Sequence, residues 1–148
     1  MDHVLETFSK INWSYSPDDP SALAQLKRRI ARRARLGRTL TYSELADGVE
    51  FDLPGLADRP HRIDVHNWSQ LDRAIVGDFL GYISMESYQL GRFLASALVV
   101  GKDDHVPGAG FYGLLNDLDM IASKDDPRGS VIWGEHVELA KQWYRSHR

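Results

Sequence analysis

The 148-residue chain contains no cysteine. That one absence removes disulfides, thiolate nucleophiles and cysteine-ligated zinc or iron–sulfur sites together. No stretch approaches the ~18 consecutive apolar residues of a membrane span, so no membrane partner is expected. The opening residues, Met1-Asp2-His3-Val4-Leu5-Glu6, have neither a basic n-region nor an apolar h-region and do not read as a secretory signal. A cytoplasmic location is the expectation. Internal repeats, low-complexity tracts and a linker long enough to divide domains are also missing, which leaves a single domain over residues 1–148.

The signatures of common catalytic sites are absent too. There is no H-E-x-x-H and no Lys-Ser/Thr following a glycine-rich turn, and no Ser-His-Asp arrangement can be singled out. The only metal-like spacing is His61-x-x-Asp64-x-His66, which would support a metal-dependent hydrolase if the three side chains converged. His105 beside Asp103 and Asp104 is a second candidate acid/base group. Histidines in polar loops are mostly surface residues, so the expectation is a non-enzymatic protein with no metal and no cofactor.

What is present begins with the stretch from Asn67 to Val100. Leu71, Ile75, Val76, Phe79, Leu80 and Ile83 recur at helical spacing and predict an amphipathic helix. Ser69 is its natural N-cap, with Asp72 at the positive helix end. Phe93 to Val100 is an almost unbroken apolar run closed by Gly101 and predicts a buried strand. Val49 to Leu53 alternates like a half-buried strand and turns at Pro54-Gly55. Between these, Leu56 to His66 reads as an exposed connection with a short extended piece at Ile63–Val65.

The flanks add helices. Val4, Leu5, Phe8 and Ile11 suggest a short N-terminal one, and Trp13 and Tyr15 follow on an extended segment. Leu23, Leu26, Ile30 and Ala34 give an apolar face on a helix that Asp19 or Ser21 can cap, with Pro20 in its first turn, and that runs through about Leu36 to end at Gly37. Thr41-Tyr42-Ser43-Glu44 is a capping box opening a short helix to Asp47. Phe111, Leu114, Leu115 and Leu118 predict another helix to about Ile121, and from Ser130 a terminal helix turns Val131, Trp133, Val137, Ala140 and Trp143/Tyr144 inward. The expected fold class is therefore α+β, helix-rich, with a small sheet containing Val49–Leu53 and Leu94–Val100. Ala74, Gly77, Gly81 and Ser84 form a small-residue stripe on the central helix, suited to a close neighbour from the C-terminal helix or a second subunit.

Charge is distributed unevenly. The net charge is −3, yet Lys27, Arg28, Arg29, Arg32, Arg33, Arg35 and Arg38 crowd into twelve residues without an acid. No carboxylate stands at i+3 or i+4 inside this run to neutralise it. Arginine's forked donors match phosphate oxygens, which makes nucleic-acid backbone the leading partner. The rival is a protein partner, met through the basic helix or the acidic remainder as in an inhibitor or immunity-type module.

The residues Thr41-Tyr42-Ser43-Glu44-Leu45-Ala46, after a helix and a short turn, resemble the T-Y-G-E-L-A opening of winged-helix domains of the DNA alkyltransferase-like type. The resemblance covers about a dozen residues and implies a winged-helix-like element with DNA binding. The Pro-Cys-His-Arg stretch that alkyl transfer requires has no counterpart here, so that activity is excluded. Ser96-Ala97-Leu98-Val99-Val100 with Pro107-Gly108-Ala109-Gly110-Phe111-Tyr112 also resembles a block in small uncharacterised bacterial proteins. That likeness implies no activity. The two glycines there are expected to form a tight turn that seats Phe111 on the strand, rather than an anion cradle.

Overall fold

The longest helix supplies the frame. In the computed structural model, which describes residues 2–55 and 60–148, α4 runs from Gln70 to Gly91 and begins at a complete capping box of Ser69 and Asp72. Its stripe of Ile75, Val76, Phe79, Leu80 and Ile83 is buried as the periodicity predicts, whereas Leu71, expected in the same stripe, stands in the first turn and is exposed. Around it, in chain order, lie α1 (His3–Ser9), α2 (Pro20–Arg35), β1 (Leu40–Thr41), α3 (Tyr42–Ala46), β2 (Val99–Val100), α5 (Ala109–Asp117) and α6 (Arg128–Ser146). Two single 3₁₀ turns, Ser16–Asp18 and Ala95–Leu98, complete the order. The α+β, helix-rich class holds, and one hydrophobic cluster extends from Phe8 to Ala140. Among the described residues no helix is long and apolar enough to cross a membrane.

The sheet differs from expectation. It is a single parallel pair, with Leu40 opposite Val99 and Thr41 opposite Val100. The apolar run before Val99 is as buried as predicted, but it is not a strand. Its backbone is held by side chains instead of a ladder. Leu94 N–H donates to His136 Nδ1 at 2.9 Å, Ala95 N–H to Ser87 Oγ at 3.0 Å, and Ser96 N–H to Ser84 Oγ at 3.1 Å. Trp133 Nε1 donates to the Ala97 carbonyl at 2.8 Å. With these polar groups satisfied by α4 and α6, the segment can be buried without strand neighbours.

Val49–Leu53 likewise alternates correctly, with Val49, Phe51 and Leu53 fully buried, but among the described residues it makes only one antiparallel bridge, Phe51 to His61. The next donor along, the Asp52 N–H, goes 2.8 Å to the carboxylate of Asp19, the N-cap of α2. This segment is therefore not part of the sheet. Of the connection that follows, residues 56–59 lie outside the described residues, and Ile63 beyond them is buried.

The small-residue stripe of α4 meets a neighbour that was not anticipated. A Cβ on Gly81 would stand 2.7 Å from the Trp13 indole, and Ser84 Oγ bonds Ser96 Oγ at 2.7 Å. The close approach is thus to the 11–16 segment and the 95–98 turn, while Gly77 faces open space. Asp78 fixes the same segment by accepting from the backbone N–H groups of Ser14, Tyr15 and Ser16. In α6, Val131 proves exposed, contrary to expectation, and the buried residues are Gly129, His136, Val137 and Ala140.

Candidate nucleic-acid interface

Helical geometry divides the basic run of α2 into separate faces, because residues three and four apart share one side. Ala22, Leu26, Ile30 and Ala34 point into the core. Arg29 and Arg33 lie on the side toward α3. Arg29 Nη1 donates to the carbonyls of Glu44, Leu45 and Asp47 at 3.2, 2.9 and 2.7 Å. These oxygens are orphans at the C-terminal end of a five-residue helix, where a guanidinium is the natural complement. Arg33 donates to the Thr39 carbonyl and pairs with the Glu44 carboxylate. Glu44 also closes the capping box with Thr41. The Thr41 backbone N–H foremost, and Arg33 after it, hold the Glu44 carboxyl below its ordinary pKa.

The third side faces a groove between α2, α4 and α6. Its volume is about 740 Å³, and Lys27, Arg28, Arg32, Arg35 and Arg148 line it with Glu86 as the one carboxylate side chain among them. Lys27 Nζ stands 3.2 Å from Glu86 Oε1. That oxygen is buried without a well-aligned hydrogen bond, so the contact is an ion pair. Arg35 closes the end of α6, donating at the long distances of 3.4 and 3.5 Å to the carbonyls of Tyr144 and His147. Arg28 and Arg32 are exposed and have no partner among the described residues. Arg38 is exposed as well but lies beyond α2, outside the groove lining.

The seven cations expected to form one phosphate-facing surface therefore do not act alike. Arg29 and Arg33 hold the fold together, Arg35 and Lys27 are shared between an internal partner and the groove, Arg28 and Arg32 are free among the described residues, and Arg38 lies outside the groove. Sequence reading missed the groove floor. Ala31 and Leu36 come from α2, Ile83 and Leu90 from α4, and Trp143 and Tyr144 from α6. Burial raises the Tyr144 phenol to about 12. The floor had no linear signature, since it is assembled from three helices.

The other candidates are dispersed. His61 Nε2 lies 2.8 Å from Asp72 Oδ1, while Asp64 serves the backbone N–H of His66. Burial pushes Asp72 upward, but the Ser69 backbone N–H and His61 outweigh it, and its pKa is lowered. Among the described residues no three His, Asp or Glu side chains are placed to hold a metal ion. His105 sits in an exposed loop at φ 57°. Gly108 donates its N–H to Tyr42 Oη at 2.8 Å, and a Cβ there would stand 3.2 Å from the same oxygen. The glycine turn thus docks onto α3 beside the β1–β2 pair, bringing together the two blocks singled out in the sequence, and Phe111 is buried after it. No family model, curated protein or solved structure matches the chain.

Proposed function

We propose that this chain is a non-enzymatic binding protein, winged-helix-like in its α2–β1–α3 unit, that contacts nucleic-acid backbone through the groove side of α2. The observation that carries this reading is the pair Arg28 and Arg32. They stand one helical turn apart, exposed and unpartnered among the described residues, at the rim of a groove where Lys27 and Arg35 add charge. Like charges held this close repel, and phosphate oxygens relieve that repulsion with charge-assisted bonds. Base reading by α3 is not part of the proposal. Its Tyr42 hydroxyl accepts from Gly108, its Ser43 hydroxyl donates to the Val65 carbonyl at 3.5 Å, and its Glu44 carboxylate is bound to Thr41 and Arg33, so each polar side chain of that helix already has a partner.

Binding should accordingly be weak, tolerant of sequence and sensitive to salt. Fluorescence anisotropy at low salt is the test. Arg28→Ala with Arg32→Ala should abolish binding or, where some persists, flatten its salt dependence by about 0.9 log units per lost contact on B-DNA and about 0.7 on a single strand. Wild-type protein that binds neither duplex nor single strand at low salt ends the proposal.

A further inference from the structure

We infer that the groove selects single-stranded over duplex nucleic acid, with phosphates on the α2 rim and unpaired bases on the apolar floor. This rests on the backbone-binding proposal above and narrows its partner. Two independent features of the groove meet here.

The first is the rim already described. The second is apolar surface left in water. Among the described residues the two most exposed large hydrophobic side chains are Leu90 at 69% and Leu36 at 64%. Both lie in this groove, Leu36 at the C-cap of α2 and Leu90 on α4, and Ile83 of α4 with Trp143 and Tyr144 of α6 line it as well. Trp143 is already an aromatic platform, stacked on His147 at 4.2 Å between ring centres and 9° between planes. A duplex keeps its bases paired and stacked inside and offers a cationic rim only phosphates, so Leu36 and Leu90 would stay hydrated. A single strand can turn base faces onto the floor while its backbone follows Arg28 and Arg32. An acidic amphipathic peptide would also match rim and floor, but the rim is built from arginine, whose fork fits phosphate oxygens.

The experiment uses the full chain and two probes, an oligo-dT of about twelve nucleotides and the matching dT·dA duplex. Anisotropy at low salt should show the single strand bound at least about tenfold tighter. Leu36→Gln with Leu90→Gln removes apolar surface without changing charge. It should weaken single-strand binding about tenfold and leave duplex binding unaltered. Both positions are exposed, and circular dichroism checks the fold; if the pair disturbs it, Leu90→Gln alone should give the smaller loss. Equal affinities for the two probes, or no effect of the leucine variants, overturns strand selection and leaves backbone binding standing. Binding of neither probe overturns both readings. Capture of an acidic Leu/Glu amphipathic peptide in place of nucleic acid would assign the groove to a protein partner.

Discussion

His136 shows how one side chain can set the behaviour of a buried segment. Its Nδ1 accepts the Leu94 N–H and must be unprotonated to do so. Burial lowers its pKa from the ordinary 6.5, with Glu135 opposing more weakly. The unfolded chain therefore binds a proton at higher pH than the folded one. The stability contributed by neutral His136 is complete above about 6.5 and is lost as pH falls toward the folded value, at up to about 1.4 kcal/mol per pH unit. Urea unfolding at a series of pH values should show this slope in the wild type. In His136→Gln, whose amide oxygen can still accept from Leu94, the slope should be smaller. An unchanged difference across that window would refute the assignment.

At the scale of elements, the segment 93–98 is held by α4. Ser84 and Ser87 accept from two backbone donors, and Ser87 also donates to the Phe93 carbonyl at 2.8 Å. Changing either serine to alanine leaves a buried N–H unsatisfied, at a cost of about 1–3 kcal/mol each. The two losses should show as a lower denaturation midpoint, and in the double variant amide exchange at Ala95 and Ser96 should accelerate. Protection at those amides equal to the wild type would mean that they have other acceptors.

At the scale of the whole molecule, the basic helix joins folding to binding, and its faces can be separated. Arg29→Ala with Arg33→Ala removes the guanidinium groups that close α3 and reach Glu44. The Arg33–Glu44 pair is half-exposed and worth at most about 1 kcal/mol, but Arg29 also satisfies three helix-end carbonyls, so thermal stability should drop by more than in the free pair. Arg28→Ala with Arg32→Ala should leave the melting temperature within a few degrees, because alanine is the better helix former and no partner is lost. Nucleic-acid binding should follow the reverse pattern once both proteins are compared in the folded state. Equal thermal losses in the two pairs would show that the free arginines also have a folding role.

The sequence by itself determined which long helices form and where most of them start, although α5 ends at Asp117 rather than near Ile121 and α6 begins at Arg128 rather than Ser130. Caps, periodic stripes and turn residues act within about four positions, so Asp19, Thr41 and Ser69 were recognisable before any tertiary information, whereas the Asp2 cap of α1 was missed. It also determined which faces are buried in α2 and α4, because apolar spacing alone carries that information. Tertiary structure decided the rest. Whether the apolar run at 93–98 becomes a strand depended on Ser84, Ser87, Trp133 and His136, which belong to other elements. Which arginines remain free depended on orphan carbonyls at the ends of α3 and α6, invisible in a list of charges. The groove exists only because α2, α4 and α6 leave Leu36, Leu90 and Trp143 side by side, and such contacts between distant parts of a chain leave no local pattern to read.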